Sequence, residues 1–229
     1  MINSIAFFDV DGTLLKGISG YYTTLELVRR GILKKRRLLQ AVYYKLISTF
    51  CNLNDVKKIY ELAIEDMKGQ NLDYITQIGN EVFERDLKPK IYLEALEKIR
   101  AYKKEGIPII LISSGPTMAI QAIAQFVGAD QFFSIGPEIA NNLLQNKLPP
   151  HFAFMEGKVK IAEQEAQKLN LSLQNCSFHA DSVHDIPLLS AVGKAYVVNP
   201  DRGLRKEALR KAWPILEFKT LLGKNAKTN

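Results

Sequence analysis

Two aspartates two residues apart follow directly on the first apolar run of the chain, in Phe7-Phe8-Asp9-Val10-Asp11-Gly12-Thr13. A buried strand has no ordinary use for such a carboxylate, because an isolated charge taken out of water is expensive. At the carboxyl end of a strand, however, a carboxylate pair can hold a hard cation through oxygen or do covalent chemistry. The plain alternative is an Asp-rich turn after an edge strand. Gly12 relaxes the backbone at this point, and Thr13 can hold an acceptor or the turn itself. Two further polar clusters stand in similar settings. Ser113-Ser114-Gly115-Pro116 follows a second apolar run, and Asp181 and Asp185 follow another, four residues apart and so able to share one face of a helical turn.

These groups need elements to position them. Ile2–Phe8 reads as a central strand with apolar residues on both faces. Leu14–Gly20 reads as a connection, and from Tyr21 to about Phe83 the apolar spacing is helical, in four segments. In the third, Val56, Ile59, Leu62, Ala63 and Met67 face inward, with Asn54 or Asp55 as its cap. Beyond this block, apolar runs of strand length alternate with helical patterns. Strands are expected at Ile107–Ile112, Gln131–Ile135, Cys176–Ala180 and Ala195–Val198. Helices are expected at Tyr92–Lys104, Thr117–Val127, Gly157–Leu169, His184–Val192 and Arg202–Lys211. Asn141–Phe154 reads as irregular, and Ser113–Pro116 as a strand-to-helix turn. Such alternation implies an α/β fold with a mostly parallel sheet covered on both faces, in which ligands bind outside the carboxyl ends of the strands. All three polar clusters fall there.

Composition narrows the classes. The chain has 229 residues, 47% of them hydrophobic, enough for a sizeable core. Two cysteines make no disulfide framework, and the three histidines fall in no zinc spacing. No basic segment precedes the first apolar run, and no stretch is long and apolar enough to span a bilayer, so a reducing, cytoplasmic setting is the expectation. The net charge of +7 favours phosphate-bearing ligands, nucleic acid or anionic surfaces, without choosing among them.

In this order, the clusters resemble the haloacid dehalogenase (HAD) superfamily, and within it the phosphoserine-phosphatase-like hydrolases of subfamily IB. The resemblance rests on Asp9-Val10-Asp11-Gly12-Thr13, on Ser113 after the next strand, on a lysine in Gly157-Lys158-Val159-Lys160, and on Asp181-Ser182-Val183-His184-Asp185. It implies a Rossmann-like core of residues 1–16 and 85–222, a helical (C1-type) cap of residues 17–84, and a flexible tail of residues 223–229. It further implies a Mg²⁺-dependent phosphomonoester hydrolase acting on a small phosphorylated substrate. Asp9 would be the nucleophile, forming an aspartyl-phosphate, and Asp11 the general acid and base. Ser113 would bind a phosphoryl oxygen, and Lys158, with Lys160 as competitor, would offset charge. Asp9, Asp181 and the Asp11 carbonyl would hold Mg²⁺, with Asp185 acting through a water or the lysine. Gly12, Thr13, Ser114 and Gly115 would line the phosphate site, with Ile18 and His184 facing the substrate.

The resemblance departs from phosphoserine phosphatases at one position. Ile18 stands where those enzymes carry a glutamate for the substrate amine, and an apolar side chain cannot pair with an ammonium. A cap arginine for the substrate carboxylate would be among Arg29, Arg30, Arg36 and Arg37. The expected substrate is therefore a phosphomonoester other than phosphoserine, of lipid or sugar type. The alternatives are a phosphotransferase or phosphomutase on the same site, or a membrane-associated lipid-phosphate phosphatase. Lys34–Phe50 reads as a docked cap helix with a charged start, or as a weak contact with an anionic membrane surface. No nucleic-acid motif is present, and a monomer or homodimer is expected.

Overall fold

A computed structural model describes residues 2–40, 53–150 and 152–225. At its centre is a six-stranded sheet in the order β3-β2-β1-β6-β7-β8, all parallel. The strands are β1 (Ala6–Phe8), β2 (Ile109–Pro116), β3 (Gln131–Ile135), β6 (Ser177–Ala180), β7 (Lys194–Val198) and β8 (Ile215–Leu216). The chain builds outward from β1 through β2 to β3, then crosses back to β6 on the other side of β1. The strand order therefore reverses at β1, and the crevice at such a reversal is where parallel sheets bind ligands.

Both faces of the sheet are buried, as the unbroken apolar runs require. Phe8 and Leu111 face one core with α1 (Ser19–Arg29), α3 (Leu72–Val82), α4 (Leu93–Lys104) and α5 (Thr117–Val127). Phe7, Ile110 and Phe178 face the other with α6 (Glu156–Lys168), α7 (Ile186–Ala191) and α8 (Arg202–Lys211). His179 is fully buried on the first face, between Phe8 at 4.2 Å and Tyr196 at 4.6 Å, so it ties three strands together. Burial pushes its imidazole down to about 3, which keeps it neutral.

Several expected boundaries shift. β1 covers only Ala6–Phe8, because the segment before it lacks a ladder partner until Ile5 accepts from Ser177. β2 runs on through Ser113 to Pro116, with a register shift after Ile112, so Ser113 and Ser114 belong to a strand and not to a turn. Asn141–Phe154 is not wholly irregular. Asn141 and Asn142 both adopt positive φ and close a hairpin between β4 (Ile139–Ala140) and β5 (Leu143–Leu144). β8 was not expected, and a short helix, residues 222–225, runs into the first three residues of the expected flexible tail, with Leu222 N–H bonded to the Ile91 carbonyl.

Between β1 and β2 lies the helical insertion: α1, α2 (Leu53–Met67) and α3. α1 begins at Ser19, two residues before the expected start. α2 is already helical at Leu53, the first residue described after the gap, so Asn54 and Asp55 lie inside it. Asn71 caps α3 by accepting from the N–H groups of Asp73 and Tyr74. The hairpin straps this insertion to the core: Leu144 exchanges backbone bonds with Gly69 and Gln70, each at 2.9 Å, and the Asn142 carbonyl accepts from Leu72. The segment Lys34–Phe50, expected as a docked cap helix or a membrane contact, is described only as far as residue 40, and in that part Lys34 and Arg37 both pair with Asp66; the rest of it lies outside the described residues.

Candidate active site

The parallel register sets the site. Phe8 lies beside Leu111 on one side and His179 on the other. Asp9, Ser113 and Asp181 thus emerge within two residues of one another along the sheet, at the carboxyl ends of three adjacent strands. Asp9 continues the ladder, its N–H bonded to the His179 carbonyl at 2.9 Å, and its side chain is nearly buried. The chain then wraps tightly on the Val10 carbonyl, which accepts from Leu14 and Leu15. Gly12 makes this wrap with φ +83°, and a Cβ there would lie 2.0 Å from Asp181 Oδ2. Glycine is therefore required twice, by conformation and by the approach of the second acidic loop.

Lys158 enters from the far face. Gly157 lets the start of α6 seat against the Phe152 carbonyl, which a Cβ would overlap at 1.8 Å, and this places Lys158 inward with 3% of its surface exposed. Its ammonium donates to Asp9 Oδ1 at 2.7 Å and Asp185 Oδ1 at 2.6 Å. Lys160 points to solvent. Burial pulls the Lys158 ammonium down, but the charges of Asp185 and Asp9 outweigh it and hold its pKa above the usual range.

Asp9, Asp181 and Asp185 each bring a carboxylate oxygen within 4.8 Å of the others. Burial and mutual repulsion push Asp181 well above the ordinary carboxylate range. The same two effects, against the pull of Lys158, push Asp9 up to about 7. A cation would relieve this repulsion, and an all-oxygen donor set suits a hard divalent ion. The donors are thus suited to a metal. Asp185 is already committed to Lys158. Thr13 is fully buried, and its hydroxyl donates to Asp181 Oδ1 at 3.3 Å, so it steadies that acid and is not aimed at a phosphate. Asp201 fixes the same loop from behind: its N–H bonds the Asp181 carbonyl and its carboxylate accepts from Val183.

Asp11 turns toward the insertion. Ser19, the first residue of α1, donates to its two oxygens, from N–H at 2.9 Å and from Oγ at 3.0 Å. Ile18 precedes the helix and supplies no side-chain cap, so Asp11 caps α1 from a distance. The carboxyl keeps some open surface but is closely surrounded. Burial raises its pKa to about 6, against the two Ser19 hydrogen bonds. Ser113 is buried, and its Oγ accepts from the Gly115 N–H at 3.1 Å. The Ser114 carbonyl accepts from Tyr60 of α2. A Cβ on Gly115 would stand 2.7 Å from Ser19 Oγ, so the end of β2, the Asp11 loop and α1 meet at one point. His184 tilts against Phe154 at 5.0 Å.

A cavity of about 220 Å³ opens between the insertion and the core, lined by Asp11, Ile18, Ser114, Gly115 and residues of α1, α2, α3 and the start of α5. Ile18 lines this cavity, and His184 does not. None of Arg29, Arg30, Arg36 and Arg37 lines the cavity. Arg30 pairs with Glu26 and Glu81, Arg37 is buried on Asp66, and Arg29 and Arg36 face largely outward. Ser19 and Tyr60 were missed from sequence. A serine directly before a helical pattern was a usable signal for the first. Nothing local signals the second.

The haloacid dehalogenase-like hydrolase family model matches residues 6–190. A protein of Mycobacterium tuberculosis H37Rv, called a probable phosphatase, is 29% identical over 93% of this chain and 75% of its own length. Among solved structures, a Bordetella pertussis Tohama I protein of unknown function superposes with a TM-score of 0.82 at 23% identity, covering 94% of this chain and 99% of that one. A phosphoserine phosphatase with a phospho-aspartyl intermediate analogue gives a TM-score of 0.69 at 17% identity, over 100% and 99% of the two chains.

Proposed function

This chain belongs to the haloacid dehalogenase-like hydrolases, and from that premise we propose that it is a Mg²⁺-dependent phosphomonoesterase with Asp9 as nucleophile. The observation that carries this reading is the buried Asp9–Lys158–Asp185 arrangement beside Asp181, at the point where the strand order reverses. Asp9, Asp181 and the Asp11 carbonyl would hold Mg²⁺, which when bound neutralises charge on the phosphoryl oxygens. Asp9 Oδ attacks phosphorus as the ester P–O bond breaks, and Asp11 gives its proton to the departing alkoxide. Asp11 then takes a proton from water as that water displaces Asp9 and frees phosphate. A carboxyl raised to about 6 can carry a proton in each direction near neutrality. Lys158 holds Asp9 in place and offsets the charge that gathers on the phosphoryl group. Phosphoserine is disfavoured as substrate, because Ile18 is apolar and no described arginine lines the cavity.

The test is phosphate release from p-nitrophenyl phosphate, supported by Mg²⁺, abolished by EDTA and restored by excess Mg²⁺. Melting adds a second readout. Asp9 and Asp181 hold protons in the folded state to higher pH than in the unfolded chain, so the stability tied to those protons is present at about pH 4. For Asp9 it is lost as pH rises through about 7. The metal-free melting temperature therefore falls between about pH 5 and pH 8, while Mg²⁺ requires the ionised ligands. The Mg²⁺-induced rise in melting temperature should grow across that interval; a rise independent of pH would remove these carboxylates as the ligands.

Ser19→Ala tests the positioning of Asp11. The variant removes a bond that favours the ionised form, so the alkaline limb of the pH–rate profile moves to higher pH while kcat falls by roughly tenfold. A lower kcat with an unmoved limb would mean that Ser19 serves only the helix.

A further inference from the structure

The reaction centre and the cavity meet at Asp11. If Asp11 protonates the leaving oxygen, as in the reading above on which this step rests, the alcohol beyond that oxygen extends into the cavity that Asp11, Ser114 and Gly115 help to line. The wall it meets is hydrocarbon: Leu27 from α1, Ile59, Ala63 and Met67 from α2, Ile75 from α3 and Met118 from α5. Among the described residues Asp11 is the only charged group on that wall; the other polar side chains are hydroxyls and the amide of Gln121. Two described arginines of the insertion are committed elsewhere. Arg30 is held by Glu26 and Glu81, and Arg37 is closed into a bidentate pair with Asp66 at 2.8 and 3.1 Å.

An alcohol bearing an ammonium, a carboxylate or an imidazolium would shed its water here with no opposite charge but Asp11 to replace it, which is unfavourable. A hydrocarbon chain gains from every methylene it buries. The space is sufficient: about 220 Å³ exceeds the roughly 150 Å³ of an apolar cavity that admits benzene. We infer that the substrate is the phosphate monoester of an uncharged alcohol carrying a single extended hydrocarbon chain, with the chain seated between the helical insertion and the core.

The experiment is a series of n-alkyl phosphates, ethyl to decyl, kept below their micelle-forming concentrations, with Mg²⁺ and with p-nitrophenyl phosphate as the aryl control. The expected result is a rise in kcat/KM of about fourfold per methylene until the cavity is full, then a plateau. Ala63→Phe should bring the plateau to a shorter chain; Ile59→Phe, a smaller increase in volume, reads the same shift if Ala63→Phe does not fold. Calorimetry of decylphosphonate binding to the inactive Asp9→Asn protein should show a negative heat-capacity change, independently of turnover. A flat series, or phosphoserine, histidinol phosphate or a hexose phosphate outrunning octyl phosphate, overturns the inference, provided that p-nitrophenyl phosphate is still hydrolysed. Loss of turnover on every ester, the aryl control included, instead removes the phosphatase reading and this inference with it.

Discussion

Asp9→Asn should lower kcat by roughly four or more orders of magnitude while leaving the protein folded and at least as stable without metal as the parent. The rate falls because the amide has no anionic oxygen with which to attack phosphorus, and no other carboxylate takes its place. Asp185 is held by Lys158, Asp181 by Thr13, and Asp11 by Ser19. Stability holds for a separate reason. The Asn carbonyl can still accept from Lys158, which also keeps Asp185, and one of the mutually repelling carboxylates is gone. Phosphate release and thermal melting, measured on one preparation, separate the two effects. Metal-dependent turnover that survives the substitution unchanged would sink Asp9 as nucleophile.

Lys158→Met should be costly in both respects. The substitution roughly keeps volume but leaves Asp9 and Asp185, whose side chains are 7% and 3% exposed, without their cation. Removing one partner of such a buried pair costs about 3–5 kcal/mol, because the stranded charges cannot return to water. Urea denaturation at neutral pH should show this loss, and it should shrink on acidification as Asp9 takes up a proton. Adding Asp185→Asn should recover part of the stability and none of the turnover, since the charge offset at the phosphoryl group stays missing. A single variant as stable as the parent would mean that Lys158 is not the counter-charge of this cluster.

How much of this was legible in the sequence depends on the range of the interaction. Asp9, Asp11, Ser113, Asp181 and Asp185 stand out because polar groups at the ends of apolar runs are rarely idle, and a parallel sheet brings strand ends together whatever the intervening length. The resemblance favoured Lys158 over Lys160, and the folded backbone supplies the physical reason: Gly157 and the Phe152 carbonyl seat the helix start so that Lys158 turns inward. The role of Asp11 was half visible. Its place near the chemistry followed from its motif, but its grip on Ser19 depends on where α1 begins, two residues earlier than the apolar spacing suggests. The hairpin at Ile139–Leu144 was missed although Asn-Asn is a residue pair that tolerates positive φ. Least legible was the cavity. Val56, Ile59, Leu62, Ala63 and Met67 read as an inward-facing stripe, and all of them but Leu62 wall the cavity; Leu62 lines a separate groove with Lys57 and Glu61, and Ile64 joins the wall instead. Helical spacing cannot tell a face that meets another side chain from a face that meets open space.

That open space also bears on the energetics of the whole protein. Apolar walls held apart over about 220 Å³ forgo contact that a collapsed core would have, and at about 24 cal/mol per Å³ the deficit is at most about 5 kcal/mol. The net stability of a domain is about 5–15 kcal/mol, so the cavity is comparable with the margin by which the protein stays folded. Selection for heat resistance alone would close it with larger side chains from α2 and α3. Its persistence sets thermostability against function in one small region, where the residues that would most readily raise the melting point also wall the cavity beside Asp11.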